Sequence, residues 1–170
     1  NVLETRGLSL HFETQGGDVH ALRDIDIIVP RGEIVGIVGE SGSGKSTLIS
    51  LIPRLFDSTS GAIKVDGVDV RDADLDLLWA GIGLVPQRPF LFTGTVESNL
   101  RFGREDASDD DLWHALEIAQ GREFVTEMEG GLGRRIAPGG TNVPGGQRQR
   151  LSIARAIAHQ PRILVFDDSF

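Results

Sequence analysis

The residues most able to do chemistry stand together at 39–47, where the chain reads Gly39-Glu40-Ser41-Gly42-Ser43-Gly44-Lys45-Ser46-Thr47. The spacing satisfies G-x-x-x-x-G-K-[S/T]. Gly39, Gly42 and Gly44 let the backbone curl so that successive amides face one point and form an anion nest. Lys45 adds a mobile ammonium for the β- and γ-phosphates of a nucleotide. The Ser46 hydroxyl can ligate Mg²⁺, and Thr47 can support the α-phosphate side. A plain glycine-rich turn before a surface helix would leave the lysine and the paired hydroxyls unexplained. A site of this kind needs an acid at the end of a neighbouring strand. Asp167 follows Ile163-Leu164-Val165-Phe166 and can hold Mg²⁺ directly or through water. Gln87 follows a buried run and precedes Pro89; its amide can reach Mg²⁺ or the attacking water, although alone it reads more readily as a surface-loop glutamine. Phe12 reads equally well as an adenine-stacking ring or as a core aromatic.

These residues need strands and helices to carry them. "GLSLHF" alternates, with Leu8, Leu10 and Phe12 on one face, and predicts a strand. The run "QGGD" predicts a turn, "VHALRDIDIIV" a second extended stretch, and 30–33 another turn. The β-branched run at 34–38 predicts a buried strand leading into the phosphate loop. From Lys45 the apolar spacing turns helical, and Pro53 shortens that helix. Asp66-Gly67 is a two-residue hairpin turn. "ADLDLLWA" predicts a short helix, and 82–86 a second buried strand. Ser108 and Asp111 resemble a capping box with aspartate in place of the usual glutamine or glutamate. Leu112, Trp113, Ala115, Leu116 and Ala119 give that helix its buried face. A last helix runs from about Gly145 to His159, stopped by Pro161, and 162–166 returns as a strand.

The composition agrees with one α/β domain. The chain has 170 residues, 22 of them glycine, no cysteine and a formal net charge of −8. The acidic balance argues against a nucleic-acid surface, and no cysteine is present for disulfides or thiolate metal sites. The histidines at 11, 20, 114 and 159 lack metal-ligand spacing. No apolar run is long enough to span a membrane, and the opening residues do not read as a secretory leader.

With 39–47, Gln87, "GGQRQRLSIARA" at 145–156 and "ILVFDD" at 163–168 in place, the whole chain resembles the nucleotide-binding domain of an ABC transporter. "PQRPFLFTGTVESNL" at 86–100 is similar to the exporter type. The resemblance implies a P-loop NTPase core with an N-terminal antiparallel β subdomain and an inserted α-helical subdomain, the C-terminal part of the core being absent. It divides this partial ATP-binding domain into a β subdomain and P-loop core at 1–90, a helical subdomain with the signature helix at 91–158, and the Walker B strand at 159–170. It implies ATP and Mg²⁺ as cofactors and ATP hydrolysis as the reaction. It gives Phe12 the adenine-stacking position, Gly39–Thr47 the Walker A motif, Gln87 the γ-phosphate-sensing Q-loop and Asp167 the Walker B aspartate. Val143, Pro144, Gly145, Gly146 and Gln147 stand at the signature, which completes the ATP site of the opposite subunit. The implied partners are a second nucleotide-binding domain, head to tail, and the transmembrane domain of an exporter, at the cytoplasmic face of the cell membrane.

Departures from the family pattern bear on activity. The catalytic position after Walker B, usually glutamate, is Asp168, which withdraws the general base by one methylene; misplacement of roughly 1 Å can cost on the order of 100-fold. The signature, usually Leu-Ser-Gly-Gly-Gln, reads Val143-Pro144-Gly145-Gly146-Gln147, so Pro144 lacks the serine hydroxyl and amide. The loop 137–142 lacks the glutamate and arginine common before the signature. Together these resemble the degenerate-site half of a heterodimeric exporter. A mainly ATP-binding regulatory half and a soluble ABC-type ATPase are the alternative readings. The family's D-loop and switch histidine are expected beyond Phe170.

Overall fold

The computed structural model describes residues 1–14 and 17–167. A first compact unit runs from Asn1 to Trp79 and a second begins at Ala80. Gln15 and Gly16 of the expected "QGGD" turn lie outside the described residues.

The first unit is built on an antiparallel sheet. Strand β1 (Leu3–Thr14) pairs along its length with β2 (Gly17–Val29), from Leu3 opposite Val29 to Thr14 opposite Gly17. On its other edge β1 pairs with β3 (Ser60–Val65), which turns back into β4 (Val68–Asp69), giving the order β2-β1-β3-β4. Asp66 and Gly67 take φ of 51° and 83° at that turn, the left-handed pair a two-residue hairpin demands. Alternation holds for Leu8 and Leu10, both buried, but ends before Phe12, which is 46% exposed. Phe12 is therefore not the core aromatic that alternation alone allows.

Helix α1 (Lys45–Leu51) buries Leu48 and Leu51 and is capped by Ile52, just before Pro53, as the proline predicts. Helix α2 (Leu75–Ala80) brings the Trp79 indole Nε1 within 2.8 Å of the Pro53 carbonyl, to which it donates. The expected strand at 34–38 is absent. Residues 33–40 form no ladder, and Ile34 and Val38 are 99% and 98% exposed. A β-branched run becomes a strand only where neighbouring backbone takes up its N–H and C=O groups, and no described strand pairs with this one.

The second unit contains, in order, β5 (Ile82–Val85), β6 (Gly94–Thr95), α3 (Val96–Leu100), α4 (Asp109–Ile118), α5 (Arg122–Glu127), β7 (Arg135–Ile136), α6 (Gly145–Ala158) and β8 (Ile163–Phe166). The capping box expected at α4 is present: the Ser108 hydroxyl accepts from the Asp111 amide, and the Asp111 carboxylate accepts from the Ser108 amide. Backbone and hydroxyl donors of Ser108, with Arg104 nearby, hold the Asp111 carboxyl below the usual aspartate range. Leu91, Val96, Leu100, Leu112, Leu116 and Leu151 meet in the core between α3, α4 and α6. Asn99 is the buried polar exception. Its side chain accepts from the Phe92 amide at 2.8 Å and donates to the carbonyls of Phe92 and Thr95 at 2.8 and 2.9 Å, so burial leaves its amide satisfied.

Strands β5 and β8 run parallel, with Val85 opposite Phe166. Gly83 sits where a Cβ would come within 2.8 Å of both Leu164 and Pro161. The absence of a side chain there lets β5 lie flush against the end of α6.

Candidate functional site

The phosphate loop belongs to the first unit. Gly42 and Gly44 take φ of 81° and 91°, and Gly44 is the left-handed residue that opens α1. A Cβ at Gly44 would lie 2.6 Å from the Ala21 carbonyl on β2, so both backbone angle and space require glycine. The Ser43 amide donates to the Glu40 carbonyl at 3.2 Å and closes the turn. Lys45 folds over the loop it follows: Nζ donates to the carbonyls of Gly39 at 2.7 Å and Glu40 at 3.0 Å. The ammonium thus stands over the curled segment whose amides sequence reasoning assigns to phosphate. Helix α1 begins directly at Lys45, so Ser46 and Thr47 lie in its first turn.

Phe12 lies on β1 with its ring tilted 59° to Phe56 at 6.4 Å between centroids. It is an exposed flat apolar surface, as a stacking platform requires. One register position away, the hairpin sets His11 opposite His20, with ring centroids 5.8 Å apart. Sequence spacing hides this pair because strand pairing creates it. Among the described residues no three His, Asp or Glu side chains group as a metal site.

Gln87, Asp167 and the signature residues belong to the second unit. The Asp167 amide donates to the Val85 carbonyl at 3.0 Å, continuing the parallel ladder beyond β8. Gln87, exposed, follows Val85 by two residues. Two of the three candidate Mg²⁺ residues, Gln87 and Asp167, therefore leave the carboxyl ends of adjacent parallel strands, where open α/β sheets carry their ligand sites. Asp168, the candidate base, lies outside the described residues.

Val143 is buried, while Pro144, Gly145 and Gly146 are exposed. Pro144 is the N-cap of α6 and supplies no side-chain cap. Sequence reasoning misses what holds this corner. The Asn142 side chain accepts from the Ala137 amide at 2.9 Å and donates to the Arg135 carbonyl at 2.8 Å, closing the glycine-rich loop 137–142. An asparagine at the end of such a loop is the one sequence hint available. Three arginines of α6 then reach carbonyls in three other segments: Arg148 to Gly140 at 3.2 Å, Arg150 to Gln120 at 3.0 Å and Arg155 to Phe90 at 3.0 Å.

Among the described residues no helix is long and apolar enough to cross a membrane. A surface hollow of about 520 Å³ lies between Glu117, Glu123 and Glu127 in the second unit. It holds none of the candidate residues.

Known proteins share the fold of this chain. An uncharacterized ABC transporter ATP-binding protein of Mycobacterium tuberculosis is 50% identical over 162 residues, covering 94% of this chain and 28% of the relative. A multidrug efflux ATP-binding/permease protein of Mycobacterium bovis is 44% identical over 170 residues, covering 98% of this chain and 14% of the relative. The chain thus spans less than a third of the length of either. A solved structure of a bacterial Atm1-family ABC exporter with ATP bound matches with a TM-score of 0.90 at 31% identity, over 98% of this chain and 29% of that one. The α/β architecture with its antiparallel β sheet and helices is that of an ABC nucleotide-binding domain. Residues 22–170 match the family described as ABC transporter, and the chain belongs to that family.

Proposed function

We propose that this chain binds MgATP and, closed head to tail with a second nucleotide-binding domain, powers substrate export through a transmembrane domain at the cytoplasmic face of the membrane. The observation that carries the reading is the loop 39–44, curled through left-handed Gly42 and Gly44 with the Lys45 ammonium drawn over it. In this reading the Phe12 ring stacks on adenine. The loop from Gly39 through Glu40, Ser41, Gly42, Ser43 and Gly44 wraps the phosphates, Lys45 offsets the β/γ charge, and Thr47 supports the α side.

The donor set Ser46, Gln87 and Asp167 fits Mg²⁺: hard oxygen ligands, too few for an all-protein cage, suit a cation that shares its coordination with phosphate and water. When bound, the ion would offset phosphate charge as a Lewis acid. The chain's own part is to aim Gln87 at the attacking water and to take its proton on Asp168 as the γ-phosphoryl passes to that water and ADP departs. The 31% identity to an ATP-bound exporter and the 44% identity to a multidrug efflux protein support the exporter assignment.

A second reading draws on Pro144. A proline N-cap without a side-chain cap leaves Val143–Gln147 with the helix dipole and glycine amides alone to face the partner's γ-phosphate. With the short Asp168 this favours a regulatory, slowly hydrolysing half of a heterodimer. ATP turnover by the full-length protein with its partner, compared with Asp168→Glu, tests both. A rise of at least about tenfold identifies a site limited by its short base. Unchanged turnover with ATP still bound overturns that account.

A further inference from the structure

Arg155 sits in the C-terminal half of α6 and, like Arg150, combines a main-chain carbonyl with an aromatic ring. Its Nη2 donates to the Phe90 carbonyl at 3.0 Å and lies 3.4 Å from the Ser152 hydroxyl, itself buried. The guanidinium carbon stands 5.2 Å from the centre of the Phe92 ring. Nη1 is buried with no hydrogen-bond partner among the described residues, and burial pushes the group's pKa below its ordinary value. The described ion pairs give it no carboxylate.

A half-buried charge with one idle donor and, among the described residues, no carboxylate partner is a poor stabiliser. An apolar side chain of similar length would serve the core as well or better. The benefit of the arginine is therefore directional: it reaches a fixed carbonyl and seats itself on a fixed ring. That ring belongs to a stiff body. Asn99 brackets the Phe92 backbone from both sides, and Phe92 stacks on Phe102 at 4.4 Å. The strand end that carries Gln87 leads straight into this segment, and the helix that carries Arg155 starts at the signature glycines.

We propose that Arg155 is a positioning residue that fastens the segment after Gln87 to the signature helix, so that residues 88–92 and 144–147 move as one body. Only the consequence for ATP rests on the function proposed above. A displacement felt at Phe90 or Phe92 is handed through the helix to the residues facing the partner's nucleotide, without passing through this chain's own phosphate loop.

Amide hydrogen exchange on the full-length protein without nucleotide tests the fastening itself. Arg155→Met is expected to speed exchange at 88–91 at least about tenfold while the interior of α6 stays protected. Unchanged exchange at 88–91 overturns the proposal. So does equal loss of protection along α6, which would make Arg155 an ordinary packing residue. If Arg155→Met does not fold, Arg155→Lys keeps charge and stem but loses the planar fork; it must loosen 88–91 selectively, and failure to do so overturns the proposal equally. In turnover assays Arg155→Met should lower kcat and leave KM for ATP unchanged. If the unsubstituted protein shows no response to ATP, the nucleotide reading fails, and the exchange result still decides the role of Arg155.

Discussion

The amide of Asp167 is tied to the carbonyl of Val85 across 3.0 Å, one step past the last paired residues of two parallel strands. This bond fixes where the Asp167 carboxylate leaves the sheet and sets it beside the strand end that leads to Gln87. Replacing Asp167 with asparagine keeps the backbone bond and removes the charge. The expected result is loss of the Mg²⁺-dependent gain in ATP affinity, with binding in the absence of the ion little altered. Titration of a fluorescent ATP analogue with and without Mg²⁺ checks it, and an unchanged Mg²⁺ effect removes Asp167 from the cation site.

Gly44→Ala meets two obstacles at once, the left-handed φ of 91° and the Ala21 carbonyl 2.6 Å from the new methyl. A residue strained in this way costs on the order of 1–3 kcal/mol. The substitution should lower the unfolding free energy read from urea denaturation by that amount and weaken ATP binding, because relief of the clash requires moving the loop. Gly42→Ala has no such neighbour and should cost less.

Asn99→Ala removes three buried hydrogen bonds and leaves the Phe92 amide and the Phe92 and Thr95 carbonyls without that partner. The expected loss is about 2–4 kcal/mol, read from chemical denaturation. A loss below about 1 kcal/mol would mean that water or a shifted backbone takes over the bonds.

The Asp111 carboxyl is held below its ordinary range, first by the Ser108 amide, then by the Ser108 hydroxyl and Arg104. A lowered folded pKa means that its contribution is present above the unfolded value, near about 3.9, and is lost as pH falls through the folded value. Asp111→Asn should therefore reduce stability at neutral pH and converge with the parent protein in acid. Ser108→Ala should cost about 1 kcal/mol at neutral pH. Thermal melts across the acid range check both, and a gap that persists in strong acid would assign the effect to packing.

Much of this was legible because the governing interactions are local. The turn at Asp66-Gly67, the capping box at Ser108 and the stop before Pro161 each follow from a few adjacent residues. The curl at 39–44 follows from its glycines, and Lys45 with the hydroxyls of Ser46 and Thr47 gives it the phosphate reading. The run at 34–38 defeated the same method: "IVGIV" has the composition of a buried strand, yet a ladder needs a second backbone that composition does not supply. Phe12 was ambiguous for a related reason, since alternation predicts a face and not the depth at which that face stops being covered. Asn142 and the arginines of α6 act on carbonyls of other segments, 65 residues away for Arg155. No short-range pattern encodes such reach.

The arginines of α6 have main-chain oxygens as their acceptors at Gly140, Gln120 and Phe90. A main-chain acceptor survives any substitution in its loop that preserves the path of the chain. The bond itself therefore does not constrain the side chain at Phe90, although Gly140, at a φ of 68° with Arg148 and Leu91 crowding any Cβ, must stay glycine; Lys for Arg on the helix does disturb it, because a point charge lacks the fork. A library that varies Phe90 and keeps Arg155 should hold residues 88–92 to the helix far more often than one that does the reverse.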